Sequence, residues 1–148
     1  MKRRLPRSVR QAKSWSGLAL ALAILAAGIA WKEYGHLLKP AEAVTSAVSV
    51  YDGDTITIDG ERIRILGLDT PEIGRGARCA AEARAAEEAR DELHRLLRGA
   101  EITLRRDGTD RYGRTLAYVY ADGRDVAGVL IGTGLARPYD GGRRDGWC

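Results

Sequence analysis

Only two cysteines and two histidines occur among 148 residues. Cys79 and Cys148 stand far apart, and His36 and His94 lack ligand spacing, so a zinc site of the usual kind is not expected. A basic excess is also missing where it would matter for a polyanion. Residues 1–43 hold 8 Lys/Arg against 2 Asp/Glu, whereas residues 44–148 hold 16 Arg against 18 Asp/Glu, a net charge of −2. Affinity for nucleic acid therefore cannot come from a global field and needs a local arginine cluster assisted by a metal.

Long apolar runs are scarce too. The one present, Trp15 to Trp31, is 17 residues, the lower limit for spanning a bilayer. It follows Lys2, Arg3, Arg4, Arg7, Arg10 and Lys13 and is closed by Lys32. This is the layout of an exported chain: a basic segment 1–14, then an apolar helix 15–31 serving as signal peptide or transmembrane anchor with the N-terminus in the cytoplasm. Gly28-Ile29-Ala30 and Ala41-Glu42-Ala43 are the two candidate cleavage sites. An anchored protein would sit on the periplasmic face of the inner membrane; a cleaved one would be periplasmic or secreted. A linker, 32–45, leads to a domain at 46–148. In an oxidising compartment Cys79 and Cys148 are expected to pair, two separate thiols being the alternative.

The chemistry-bearing residues lie in two stretches. Asp52-Gly53-Asp54-Thr55 precedes Arg62-Ile63-Arg64-Ile65-Leu66-Gly67-Leu68-Asp69-Thr70-Pro71-Glu72, and Asp110-Arg111-Tyr112-Gly113-Arg114-Thr115-Leu116-Ala117 comes later. Ile56 and Ile58 alternate with polar residues as in a half-buried strand, and Asp59-Gly60 signals a two-residue hairpin. The returning strand places Ile63 and Ile65 on one face and Arg62 and Arg64 on the other. Such a hairpin can bring Asp54 close to Asp69, and Pro71 stiffens the turn that aims Glu72. Carboxylate oxygens suit Ca²⁺ or Mg²⁺, and guanidinium forks match phosphate. Singly, each residue has a plainer reading: Asp52 and Asp54 as turn formers, Arg64 as a solvated charge paired with Glu61 or Asp69, Glu72 as a helix N-terminal acid.

A helix is expected from Cys79 to Arg98, with Ala81, Ala85, Ala89, Leu93 and Leu97 as its apolar stripe, widened by Leu96, and Glu82 on the polar side. Strands follow at 102–105 and 116–120, then an Asp122-Gly123 turn and a short helix capped by Asp125.

From about Val48 to Tyr139 these motifs, together with Gly134-Leu135-Ala136, resemble the staphylococcal-nuclease-like (thermonuclease) family. The resemblance implies an α+β domain built on a five-stranded OB-fold barrel. It implies Ca²⁺ bound by Asp54, Asp69 and the Thr70 carbonyl, with Glu72 positioning or deprotonating water. Arg64 and Arg114 would clamp the scissile phosphate, Arg111 and Tyr112 would meet the nucleotide's terminal phosphate, and Tyr139 would pack by the base. The implied activity is hydrolysis of DNA and RNA at the 5′-oxygen side, leaving 3′-phosphate ends, by a monomer. The Ca²⁺ site belongs to the weak class, with a dissociation constant of roughly 10⁻⁴–10⁻³ M. Two rivals stand: a membrane-tethered nucleic-acid-binding barrel without chemistry, and a tethered protein-interaction module. Arg143 and Arg144 are left between phosphate and solvent.

Overall fold

Alternating isoleucines build the first hairpin. Ile56 and Ile58 of β3 (Thr55–Ile58) and Ile63 and Ile65 of β4 (Glu61–Ile65) are buried, and the antiparallel register sets Ile56 against Ile63. Asp59 and Gly60 have φ of 50° and 83°, the positive pair that a type I′ turn requires. A second such turn, Asp122 and Gly123 at 50° and 73°, ends β7 (Thr115–Ala121).

The computed structural model describes residues 41–44 and 46–148, together with 17, 19–26 and 29. Two separate units result, Met1–Lys39 and Pro40–Cys148. In the first, the described residues are helical, and among described residues no helix is long and apolar enough to cross a membrane. The basic segment 1–14, the rest of 15–31 and most of the 32–45 linker lie outside the described residues.

In the second unit, β1 (Glu42–Val44), β2 (Val48–Val50) and β6 (Ile102–Thr109) join the hairpin and β7 in one sheet, ordered β1-β6-β7-β4-β3-β2, with β8 (Arg124–Asp125) beside β7. A separate ribbon pairs β5 (Gly67–Asp69) with β9 (Arg137–Tyr139). The expected five-stranded barrel is thus corrected to a seven-stranded sheet curled as a half-barrel, plus helices. β1 and β8 lengthen the sheet, and among the described residues no ladder joins its edge strands β1 and β2. β6 runs past the expected Arg105 to Thr109 through a register shift after Arg106.

One pairing decides where the functional residues meet. β4 runs parallel to β7, matching Ile63 with Thr115 and Arg64 with Leu116. Arg64 and Arg114, fifty positions apart in sequence, are thereby brought within two register positions of each other on adjacent strands.

Helix α1 (Ala80–Leu97) packs on the core with Ala86, Ala89, Leu93, Leu96 and Leu97 buried. The expected stripe through Ala81 and Ala85 is corrected: Ala81 is exposed, and Glu82 is buried in its place. Steps of four overshoot the 3.6-residue turn, so a true face needs alternating steps of three and four. Helix α2 (Val126–Gly132) starts at Asp125, whose carboxylate accepts from the Ala127 and Gly128 N–H groups. Gly53 is wedged against α1: an added Cβ would stand 2.9 Å from the Ala89 and Thr70 Cβ atoms. Close approach of backbone to helix is what this position needs, and it brings Asp54 into the interior.

Candidate active site

The loop before β3 is organised by its own acids. Asp52 accepts from the Asp54 N–H at 3.1 Å, and the Asp54 carbonyl accepts from Ile65 N–H at 2.8 Å. Burial pushes the Asp52 carboxyl up, opposed by a hydrogen bond from Thr55 and the Arg64 charge. The Asp54 side chain points inward and is 5 % exposed. Its oxygens accept from the Thr55 hydroxyl at 3.0 Å and the Thr70 hydroxyl at 3.1 Å.

Arg64 lies between the two acids that flank the hairpin. It ion-pairs with Asp54 Oδ2, lies 3.7 Å from Asp69 Oδ1, and donates to the Leu68 carbonyl at 3.2 Å. The plainer reading of Arg64 as a solvated charge is corrected: it is 6 % exposed, while Glu61 pairs instead with Arg106 and accepts from Thr115. Burial pulls the Arg64 guanidinium down to about 10, with repulsion from Arg144 and Arg114 adding to the effect. It is still charged at neutral pH.

Arg114 is aimed by Asp110. One Asp110 oxygen accepts the N–H groups of Tyr112 (2.8 Å) and Arg114 (3.0 Å), and the other takes the Arg114 Nε at 2.8 Å. Burial works against this carboxylate, but the Arg114 and Tyr112 hydrogen bonds hold it below its usual range. Arg114 Nη1 then reaches the Thr55 hydroxyl at 3.5 Å, linking it to Asp54. Asp110 belongs to the second motif, but sequence reasoning gives it no role; an acid four residues ahead of an arginine across a glycine turn is the signal.

Glu72 also lines the cleft, with its backbone N–H directed to Glu82 at 3.4 Å. Glu82, expected on the polar face of the helix, instead accepts from Glu72 and from Arg78 N–H at 2.7 Å. It braces the short loop that carries Glu72. The Glu72 carboxylate meets Arg144 Nη1 at 2.8 Å.

Arg64, Glu72, Arg111, Tyr112, Arg114 and Tyr139 line one cleft of about 1220 Å³. The Arg111 and Arg114 guanidiniums lie 4.8 and 5.6 Å from the Tyr112 ring centroid, and that ring is largely exposed. Tyr139 donates to the Gly142 carbonyl at 2.9 Å. Cys79 and Cys148 are bonded to each other, with Cα atoms 6.1 Å apart. Sequence reasoning left Arg144 unplaced and gave Trp147 no role; both touch Asp69, at 3.1 and 3.3 Å.

The acids fit a hard cation. Asp69 Oδ1 is buried and accepts no hydrogen bond, although two guanidiniums stand within 3.7 Å. A buried carboxylate oxygen held by charge alone, close to a second buried carboxylate, is the donor chemistry Ca²⁺ selects. Asp54, Asp69 and the carbonyl of the adjacent Thr70 are the residues that would hold it.

Comparison with known proteins agrees with this geometry. Residues 62–145, more than half the chain, match the family described as Staphylococcal nuclease homologue. Endonuclease YncB of Bacillus subtilis is 38 % identical over 93 residues, covering 58 % of this chain and 43 % of the relative. Thermonuclease of Staphylococcus intermedius is 36 % identical over 92 residues, 60 % of this chain and 55 % of the relative. Succinoglycan biosynthesis protein ExoI of Rhizobium meliloti is 39 % identical over 114 residues, 71 % of this chain and 57 % of the relative. The chain thus spans about half the length of the curated relatives it matches. With the motifs in order, two buried acids bracketing one arginine and a second arginine delivered beside it, the chain belongs to the staphylococcal nuclease homologue family.

Proposed function

We propose that the chain is a Ca²⁺-dependent nuclease that hydrolyses phosphodiester bonds of DNA and RNA at the 5′-oxygen side, leaving 3′-phosphate ends. The observation that carries this reading is the buried pair Asp54 and Asp69 around Arg64, and Arg64 lines a cleft together with Glu72 and Arg114. A bound Ca²⁺ supplies charge neutralisation on phosphate oxygens and makes a nearby water more acidic.

The chain's own residues perform the remaining tasks. Arg64 and Arg114 present their forks to the non-bridging oxygens, where charge grows as the fifth bond to phosphorus forms. Glu72 takes the proton from the attacking water as its oxygen bonds to phosphorus. The bond from phosphorus to the 5′-oxygen then breaks, that oxygen takes a proton from solvent water, and Glu72 returns its proton to solvent. Tyr139 flanks the cleft as a surface for the base, and Arg111 and Tyr112 stand together for a terminal phosphate. Asp110 acts through Arg114 and is a positioning residue.

One observation favours the non-catalytic rival: Asp54 Oδ2 is already engaged by Arg64 and Thr70. Incubating the full chain with single-stranded DNA, with Ca²⁺ and then with excess chelator, decides between them. Hydrolysis with Ca²⁺, abolished by chelator and leaving 3′-phosphate ends, is the expected result. Binding without cleavage in both arms would establish the rival.

Export is proposed on the basic segment, the apolar run 15–31 and the Cys79–Cys148 bond, which suits an oxidising compartment. Cell fractionation should find the protein in membrane or periplasmic fractions; a cytosolic location would end that proposal.

A further inference from the structure

The last nine residues form a strap that enters the cleft. Arg144 places Nη1 2.8 Å from Glu72 Oε1 and Nε 3.1 Å from Asp69 Oδ1, and its guanidinium lies 5.5 Å from the Tyr139 ring centroid. On either side of Arg144 the strap is fastened. Upstream, Tyr139 of β9 donates to the Gly142 carbonyl. Downstream, Trp147 donates to Asp69 Oδ2 at 3.3 Å, and Arg137 stacks on the Trp147 ring at 3.8 Å while donating to the Gly146 carbonyl. The end of the strap is bonded through Cys148 to Cys79, the N-cap of α1. That cap is one turn from Glu82, which holds the backbone of Glu72.

The Glu72 side chain, in contrast, is half exposed, on a loop whose continuation is a 3₁₀ turn with no buried residue. A carboxylate in that setting samples several rotamers unless something holds it. Its one ion pair among the described residues is Arg144.

We infer that Arg144 is a positioning residue for Glu72, and that the Cys79–Cys148 bond acts on hydrolysis through it by holding the strap in the cleft. This rests on the nuclease reading above. A misplaced general base costs roughly a hundredfold for an error of about 1 Å, so the effect belongs in turnover rather than in substrate affinity.

The test uses the full chain with single-stranded DNA and Ca²⁺, comparing Arg144→Ala, Arg144→Lys, Cys148→Ser and the double variant Arg144→Ala/Cys148→Ser. Thermal melts on each variant identify those that are folded at the assay temperature. Arg144→Ala should lower kcat about 10–100-fold with KM within about twofold. Arg144→Lys should recover part of that loss, because a cation returns without the fork. Cys148→Ser should lower kcat in the native background and add nothing in the Arg144→Ala background, since both changes break the same link. Unchanged or faster turnover in folded Arg144→Ala would overturn the inference, as would a loss expressed in KM alone. A full additional loss from Cys148→Ser in the double variant would overturn the disulfide's part. A native chain with no hydrolysis removes the nuclease reading, and this role with it, which separates that failure from an active enzyme indifferent to Arg144.

Discussion

Replacing Glu72 with Gln is expected to lower kcat by about 10²–10⁴-fold, the range for removing a general base. The substitution keeps the side chain's shape and removes its charge and its capacity to accept a proton. Its ion pair with Arg144 weakens, but Glu72 is half exposed, and exposed pairs contribute about 0–1 kcal/mol, so the melting temperature should barely move. Initial rates with Ca²⁺, alongside a thermal melt, check both halves. A Gln variant cleaving at native speed would sink the assignment of Glu72.

Replacing Arg64 with Met should have the largest effect on stability. Arg64 is buried among Asp54, Asp69 and the Leu68 carbonyl, so its removal leaves two buried carboxylates without a central cation. Breaking a buried pair from one side costs about 3–5 kcal/mol. Ca²⁺ should return more of that stability to the variant than it adds to the native protein, because binding to the folded state alone stabilises it by mass action and the variant's acids have lost their resident cation. Hydrolysis should not return, since the phosphate fork is gone. Melts with Ca²⁺ and with chelator read the difference. If Ca²⁺ moves neither melting curve, Asp54 and Asp69 are not its ligands.

The two substitutions probe an exposed and a buried residue of one cleft. Asp54 and Asp69 are buried beside Arg64, where the attraction between carboxylate and guanidinium offsets the cost of taking both out of water. Glu72 is half exposed, which suits the proton exchange with water proposed for it. Asp110, Glu82 and Arg144 aim these groups, and each does so from a different part of the chain.

Local rules made much of this readable in advance. The Asp59-Gly60 and Asp122-Gly123 turns follow from the need for positive φ at both central positions. The buried isoleucines follow from the two-residue period of a strand, and the Asp125 cap from its side chain's reach to nearby N–H groups. The motif residues of the cleft were also named from sequence order. These are interactions within a few positions of one another, so short windows contain the whole cause.

What the amino-acid order determined by itself was therefore the turns, the strand faces, the helix cap and the identity of most chemistry-bearing side chains. Tertiary structure alone decided that Arg64 is buried, that Glu82 faces inward, that the sheet has seven strands, and that Arg144 and Trp147 reach Asp69. The parallel pairing of β4 with β7 and the Cys79–Cys148 link set these outcomes. Both join residues fifty or more positions apart, and whether a charge ends up in water or against another charge depends on such partners rather than on its neighbours in the chain.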